Sequence, residues 1–445
     1  MSSDSQRLFG TDGVRGVANT ELTPQLAFRL ARAAGDMIAQ DGRTRHVVIG
    51  ADSRRSGPML VASVAAGFNS VGIDTIDLGV LPVGAVSRLT IETDGALGVM
   101  VSASHNPAPD NGIKFFGPAG VKISEAAEHA IESRYFADEP YPTVTGAAVG
   151  TQETMPGATR RYIDWLATTV HHRVDGIEIV VDCANGAASS TAPVLFKELG
   201  ISVDVMADSP NGTNINDGVG ATHPEAVARF ANGKVGLAFD GDADRLIAVD
   251  EDGEIVNGDV IMAIFAKWQH DTGSLDNSTV VATVMSNLGF HNAMKGLGID
   301  VVLTPVGDRN VVTAMSDVKA VVGGEQSGHI LLEDRTTGDG LRTALRLIEV
   351  MADTGEELRQ LRRIMSELPQ VLTNVRVGSK NGWDTHASIA AEIAHYEDKL
   401  GSSGRILVRP SGTEPLIRVM VEAPTEEEAS AVAGSIAAVV QESLA

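Results

Sequence analysis

The run Asp240-Gly241-Asp242-Ala243-Asp244-Arg245 carries the densest chemistry in the chain. Carboxylates at i, i+2 and i+4 project to one side of an extended segment and converge if the loop curls round a cation. Oxygen-only ligands suit Mg²⁺ or Ca²⁺ and not zinc. The spacing also fits an EF-hand with Glu251 at its twelfth position, but Arg245 stands where that loop requires glycine. The flanks Leu237–Phe239 and Leu246–Val249 read as strands, where an EF-hand has helices. A solvated acidic turn satisfies the spacing too, although three aspartates without a cation repel one another.

Other polar loops offer complementary groups. In Val101-Ser102-Ala103-Ser104-His105-Asn106-Pro107 a strand ends in serines beside a histidine, in a turn that can present a nucleophilic hydroxyl. An ordinary polar turn accounts for those residues equally well, since catalytic triads are recognised by geometry and not by neighbourhood. Asp110–Lys114 places a lysine before Phe115-Phe116, to neutralise phosphate, to move a proton, or simply to snorkel. Gly323–His329 combines glycines with Glu325 and Ser327, whose side chains suit paired hydrogen bonds to vicinal hydroxyls, as on a sugar. Arg409-Pro410-Ser411-Gly412-Thr413-Glu414-Pro415, with Arg418 behind it, has the hydroxyls, backbone N–H groups and arginine forks of an anion cradle. It lacks the Gly-Lys-Ser/Thr ending of a P-loop. Phe9–Gly16 surrounds Arg15 with glycines, aiming it into a cleft or making a plain N-terminal turn; its spacing is no dinucleotide fingerprint.

The elements that must hold these loops alternate along the chain. Thr23-Pro24 opens a helix in which Leu26, Leu30, Ala34, Met37 and Ile38 follow a 3.6-residue period, closed by Asp41-Gly42. Short apolar strands at Val47–Gly50, Leu97–Val101, Ile177–Val181, Val235–Phe239, Val301–Leu303 and Val321-Val322 each run into a polar or glycine-rich loop. That alternation indicates α/β architecture with largely parallel sheets, in which ligands bind beyond the carboxyl ends of strands. The last segment differs: strand-like Ile406–Val408 and Leu416–Val421 flank one polar loop, before an alanine-rich helix led by Thr425 and Glu426–Glu428. At ~150 residues per domain the length suggests about three domains; the elements count as four units. The expected divisions are 1–150, 151–255, 256–370 and 371–445.

The chain has 445 residues, with 35 Lys+Arg against 58 Asp+Glu, a formal charge of −23 that argues against polyanionic partners such as nucleic acid or an anionic membrane. A phosphorylated substrate then needs a local basic site, expected from Arg15, Lys114, Arg245, Arg309, Arg409 and Arg418. The single cysteine, Cys183, excludes an internal disulfide and a cysteine metal cluster. No secretory pattern and no run of about 18 apolar residues is readable, so a soluble cytoplasmic protein is expected.

Taken together and in this order, the motifs resemble those of the α-D-phosphohexomutase superfamily over essentially the whole length, and most closely its bacterial phosphoglucosamine mutases. The resemblance rests on FGTDGVRG at Phe9–Gly16, SASHNP at Ser102–Pro107, DNGIKFF at Asp110–Phe116, DGDADR at Asp240–Arg245, GEQSGH at Gly324–His329 and RPSGTEPLIRVMVE at Arg409–Glu422. It implies three α/β domains with mixed, largely parallel sheets and a smaller C-terminal α+β domain, around a central cleft. It implies a phosphoserine at Ser104, not Ser102, holding one Mg²⁺ together with Asp240, Asp242 and Asp244. Arg15 and Arg245 would serve as further cations, and His105, Lys114 and His329 as candidates for acid/base work. Glu325, Ser327 and His329 would bind the sugar. Arg409, Ser411, Gly412, Thr413 and Arg418 would bind the distal phosphate, with Arg309 as a further substrate contact.

The implied reaction interconverts glucosamine 6-phosphate and glucosamine 1-phosphate through a bisphosphate that turns end for end, with glucose or glucosamine 1,6-bisphosphate as primer. It is a step toward UDP-N-acetylglucosamine. Gln326 departs from the GEMSGH of phosphomannomutase/phosphoglucomutases, which run the same chemistry on other hexoses and stand as the nearest alternative. In Leu81-Pro82-Val83-Gly84 the family more often has a threonine-proline pair. A metal-dependent phosphatase using Ser104 is a rival of another class, with no use for two facing phosphate sites. A sugar-phosphate-binding regulator is a third, with no reason to keep a metal loop beside a nucleophile. The resemblance, and no feature of the residues, allows a homodimer.

Overall fold

The computed structural model describes residues 7–40, 46–411 and 415–444, so the expected helix closure at Asp41-Gly42 lies outside the described residues. The chain divides into two compact units, residues 1–285 with 299–363, and residues 286–298 with 364–445.

The first unit contains three sheets. The first sheet comprises β1 (Val14–Val17), β2 (His46–Ala51), β3 (Asp74–Val80), β4 (Leu97–Val101), β5 (Asp110–Phe116) and β6 (Gln152–Thr154), in the order β1-β5-β4-β2-β3-β6. The four strands from β4 to β6 pair in parallel, whereas β5 runs antiparallel to both β4 and β1. Apolar runs such as Val47–Ile49 and Val99–Val101 are wholly buried, as a sheet covered by helices requires. The covering includes helix α1 (Pro24–Gln40), capped by the Thr23 hydroxyl, which accepts the Leu26 N–H at 3.2 Å, and helix α2 (Gly57–Asn69). Leu30 and Ala34 of the expected apolar stripe are buried, and Leu26, Met37 and Ile38 are partly so. The turn-rich stretch after Glu139 leads into β6, which adds an edge to this sheet through β3.

The second sheet contains β7 (Glu178–Asp182), β8 (Ser202–Met206), β9 (Val235–Phe239), β10 (Leu246–Val249) and β11 (Ile255–Val256), ordered β11-β10-β9-β7-β8. The third contains β12 (Thr279–Thr283), β13 (Asp300–Thr304), β14 (Gly323–Gly324) and β15 (Ile330–Leu331), ordered β13-β12-β14-β15. Val321-Val322, read as a strand, precede β14, and the ladder forms instead on the glycines, where no side chain blocks close pairing.

The second unit holds an antiparallel sheet of β16 (Gln370–Arg376), β18 (Leu416–Glu422) and β17 (Arg405–Pro410), with β18 central. The helix Glu426–Leu444 packs on it through Ala429, Val432, Ala433, Ile436 and Val440. Its first turn carries Glu426–Glu428, and the Thr425 hydroxyl accepts the Glu428 N–H at 3.2 Å. Among the described residues, no helix is long and apolar enough to cross a membrane.

Candidate active site

The acidic run is the tight connection between β9 and β10, an antiparallel pair in which Phe239 lies opposite Leu246. Strands on both sides exclude the EF-hand. Glu251 is elsewhere, accepting the backbone N–H groups of Leu358 and Arg359 at 3.0 and 2.9 Å. Three successive loop carbonyls are fixed from outside. Gly241, Asp242 and Ala243 accept from the N–H groups of Ala187, Val83 and Gly340 at 2.8, 2.9 and 2.9 Å. Ala243 is held in the left-handed region at φ +56°. With its backbone so constrained, the loop turns Asp240, Asp242 and Asp244 inward, all buried, with one oxygen from each within 4.8 Å of the others.

The donor set fits a hard divalent cation. Asp242 Oδ1 and Asp244 Oδ1 are buried and have no hydrogen-bond partner, a costly arrangement for carboxylates unless a cation completes it. Without one, Asp240 and Asp244 are shifted in opposite directions. Burial first, then Asp244 and Asp242, push Asp240 well above the usual carboxylate range. For Asp244 burial acts in the same direction, but Lys114 and His329 outweigh it and hold the group well below that range.

Ser104 meets this cluster from the loop after β4. Its hydroxyl donates to Asp240 Oδ2 at 2.5 Å and lies 3.3 Å from His105 Nδ1. Ser104 has φ +53°, in the left-handed region that non-glycine residues seldom hold, and its carbonyl lies where a side chain at Gly241 would be. A Cβ there would come within 2.5 Å of the Ser104 oxygen, so glycine is needed for the two loops to approach. Lys114, in the middle of β5, is 3% exposed; its ammonium donates to Asp242 at 2.9 Å and Asp244 at 3.4 Å. Burial works against that charge, but the two aspartates more than compensate and raise the lysine's pKa. The snorkelling alternative is therefore excluded.

Arg15 lies on β1, opposite Gly112 of β5, and pairs with Asp12. Arg245 Nε is 3.8 Å from Asp244 Oδ1. Both Nε atoms are buried without a hydrogen-bond partner. Burial, followed by Arg245, lowers the His105 pKa from 6.5 to about 4, so the metal-free protein carries a neutral imidazole there.

In the sugar-type loop, Glu325 accepts the Gly307 N–H at 2.9 Å and Ser327 lies at 3.5 Å from its other oxygen. His329 is buried, facing the acidic loop: Nδ1 is 3.6 Å from Asp244 Oδ2, and Nε2 accepts the Gly338 N–H at 3.2 Å. That acceptor role puts the proton on Nδ1, toward the carboxylate. Arg309, read as a cleft cation, is engaged on the helix Glu125–Phe136, 2.5 Å from Glu128 and 3.6 Å from Glu125. In the second unit, Arg409 and Arg418 are direct cross-strand partners, and Arg409 is lowered by burial and by Arg418. Like charges placed directly opposite one another are unfavourable in a sheet. Ser411 follows β17 and its carbonyl accepts the Lys380 ammonium at 2.6 Å; Gly412 and Thr413 lie outside the described residues.

Sequence reasoning missed several partners. Lys122 bridges Asp12 at 2.8 Å and Asp308 at 3.3 Å. Asp52 and Arg54 form a fully buried pair behind Ser104, and Asn216 donates to the Ser104 carbonyl at 2.9 Å. The signal for Asp52-Ser53-Arg54 was present, since it follows a buried strand as the other functional loops do.

Family models for phosphoglucomutase/phosphomannomutase match the chain in four consecutive parts: domain I at residues 6–142, domain II at 160–253, domain III at 257–370 and the C-terminal domain at 372–439. The chain belongs to the phosphohexomutase family. A phosphoglucosamine mutase of Halalkalibacterium halodurans is 49% identical over 442 residues, covering 98% of this chain and 99% of that one. One from Listeria monocytogenes is 48% identical over 445 residues, with 99% of each chain covered. Among solved phosphohexomutase structures, a family protein from Burkholderia thailandensis aligns over 99% of this chain and 98% of its own, with a TM-score of 0.82 at 23% identity. The Aspergillus fumigatus N-acetylphosphoglucosamine mutase, solved in complex with GlcNAc-6P and magnesium, aligns over 100% and 97% with a TM-score of 0.71 at 18% identity. These two share the fold. As a phosphohexomutase the chain is an isomerase that works by phosphoryl transfer, built from three α/β domains and a small C-terminal domain with an antiparallel sheet.

Proposed function

We propose that this phosphohexomutase interconverts glucosamine 6-phosphate and glucosamine 1-phosphate, with Ser104 as the phosphoryl carrier. The observation that carries the reading is the Ser104 hydroxyl 2.5 Å from Asp240, inside a buried triaspartate cluster that already contains Lys114. The amino-sugar preference is supported by the relatives, phosphoglucosamine mutases at 48–49% identity over nearly the full length. Asp240, Asp242 and Asp244, with the phosphoryl group on Ser104, would hold Mg²⁺. When bound, Mg²⁺ supplies positive charge to phosphoryl oxygens during transfer.

This chain's own residues do the rest. The phosphoryl group leaves Ser104 Oγ as the P–O bond breaks and forms a new bond to the free hydroxyl of the sugar monophosphate. Phosphoryl transfer asks for alignment and neutralisation more than for covalent help, and Arg15, Lys114 and Arg245 provide fixed cations. The sugar hydroxyl must lose its proton. Lys114 is held charged by two aspartates, and His329 has its Nε2 lone pair committed to Gly338. His105 is the remaining candidate, neutral and 3.3 Å from the serine oxygen. A phosphoryl dianion on that oxygen would raise the imidazole's basicity toward the range useful for catalysis. After reorientation the opposite phosphate of the bisphosphate returns to Ser104, and the proton returns to the sugar.

The four expected segments then divide the work: nucleophile in 1–150, metal loop in 151–255, sugar loop in 256–370 and phosphate loop in 371–445. Each of the four family matches falls within one of them. In the last, Arg409 and Arg418 would grip the distal phosphate with Ser411, Gly412 and Thr413, while Glu325 and Ser327 would meet the sugar hydroxyls. A 1,6-bisphosphate primer phosphorylates Ser104, a sugar-phosphate substrate carries the cytoplasmic expectation with it, and sedimentation decides between a monomer and the homodimer.

Turnover of glucosamine, glucose and mannose 6-phosphates, compared by kcat/KM, tests the reading. A clear preference for the amino sugar is expected; none, or release of free phosphate in place of the 1-phosphate, overturns it. NMR titration of His105 supplies a second test. In metal-free, unphosphorylated protein the midpoint is expected near 4, and it should move upward once Ser104 is phosphorylated. The folded state resists a proton that the unfolded chain accepts near 6.5, so His105 withdraws stability as the pH falls from 6.5 toward about 4. A midpoint at or above 6.5 in the unphosphorylated protein would remove the argument for His105.

A further inference from the structure

The hydrogen bonds behind Ser104 close into a ring. Asp52, just beyond β2, accepts Arg54 Nε at 2.9 Å and the Ser102 hydroxyl at 2.6 Å, both on Oδ2. The Ser102 oxygen in turn accepts the Ser104 N–H at 2.8 Å, and Arg54 Nη2 returns to the Ser104 carbonyl at 3.0 Å. Both backbone polar groups of the nucleophile therefore lead to one ion pair whose side chains are 0% exposed. Arg54 places two further N–H groups on the carbonyls of Asn106 at 2.8 Å and Pro107 at 2.5 Å. Asn216 adds a second donor to Ser104 and to Asn106, at 2.9 and 3.1 Å.

This arrangement is expensive for a purely structural part. A buried ion pair is often no more stabilising than well-packed apolar residues of the same volume. What an arginine supplies instead is a rigid plane of donors, here catching the carbonyls of residues 104, 106 and 107 at once. The conformation held is itself strained, with Ser104 at φ +53°, and strain of that kind persists only where surrounding contacts over-determine it.

We infer that Asp52, Arg54 and Ser102 are positioning residues for Ser104, fixing its left-handed backbone so that Oγ is aimed at Asp240. The inference rests on the mutase reading for its consequence in turnover, though not for its geometry. It also assigns a task to the other serine of the Ser102–Pro107 motif: Ser102 is the hinge pin and Ser104 the carrier. Neither Asp52 nor Arg54 touches the reacting atoms. Opening the ring frees Ser104 to relax to negative φ, which swings Oγ away from Asp240 and spoils alignment for transfer.

The test uses the full-length protein with Ser102→Ala, Arg54→Lys and, as a control, Val64→Ala, a buried core residue of α2. Two readouts are taken: kcat and KM for glucosamine 6-phosphate, and hydrogen exchange at the Ser104 amide in metal-free protein. For Ser102→Ala, kcat should fall about 100-fold with KM within about twofold, as expected when only the geometry of transfer is disturbed. The Ser104 amide should exchange at least about tenfold faster, having lost its acceptor. Arg54→Lys, which keeps the charge without the planar fork, should behave similarly. Val64→Ala should lower Tm while leaving kcat and that amide unchanged. Wild-type kcat and exchange in Ser102→Ala, or an equal kcat loss in Val64→Ala, overturns the inference. If the unsubstituted protein turns over no glucosamine phosphate, the mutase reading fails, and the exchange of the Ser104 amide still decides the positioning role.

Discussion

Ser104→Ala is expected to abolish mutase turnover, by about four orders of magnitude or more, as removal of a covalent nucleophile does elsewhere. Mass spectrometry of the unsubstituted protein should find phosphate on Ser104, and the variant should carry none on this loop. Affinity for the sugar monophosphate should change little, because the groups proposed to grip it lie on other loops. The structure separates the two serines of the motif. Ser102 has both hydrogen-bonding roles committed, to Asp52 and to the Ser104 N–H, whereas the Ser104 hydroxyl is directed at Asp240 and His105. Ser102→Ala should therefore slow the enzyme while preserving phosphorylation, and Ser104→Ala should eliminate both. Phosphate on another residue, or near-normal turnover by Ser104→Ala, would sink the assignment. A phosphatase would also lose activity in the variant, but the unsubstituted protein would then release inorganic phosphate and need no bisphosphate.

What could be read before any coordinates follows from how the site is wired. The triaspartate loop was legible because its carboxylates are neighbours in sequence, and the strand character of Leu237–Phe239 and Leu246–Val249 already argued against an EF-hand. Ser104 and His105 are adjacent for the same reason, although residue types alone left an ordinary turn equally open. The alternation of apolar strands with polar loops gave the α/β class, since buried parallel strands must be continuously apolar. Contacts across long separations were not legible. Arg54 lies 50 residues before Ser104, Asn216 112 residues after it, and Arg309 181 residues from Glu128. Those pairings depend on how sheets pack, which no local spacing encodes. His329 shows the same limit: its ring lies 3.6 Å from Asp244, a contact that its place in the Gly324–His329 motif does not encode.

Lys114→Met should be the most revealing substitution after the nucleophile, because it changes stability and metal dependence together. The chain is strongly acidic at −23, yet the acids that matter are three buried ones, and Lys114 is the ammonium placed among them at 2.9 Å from Asp242 and 3.4 Å from Asp244. Methionine matches the length of the stem but leaves Asp242 without its ammonium partner and Asp244 with only His329 and Arg245 beside it. Breaking a buried pair on one side costs about 3–5 kcal/mol, so metal-free Lys114→Met should unfold at markedly lower denaturant concentration. A divalent cation can replace the lost charge. At a concentration 100 times its Kd it would return about 2.7 kcal/mol, so Mg²⁺ should stabilise the variant more than it stabilises the unsubstituted protein. Turnover should not return with stability, because the fixed cation beside the transferring group is still missing; a loss of about 10²–10⁴-fold is expected. Chelation of the unsubstituted protein should give the opposite pattern, abolishing turnover with a smaller loss of stability because Lys114 still neutralises the loop. Equal stability of the two proteins without metal, or an identical response to Mg²⁺, would show that the lysine is not the counter-charge of the aspartates. The difference between the two Mg²⁺ responses thus measures how much of the loop's neutralisation is built into the chain and how much is left for the ion.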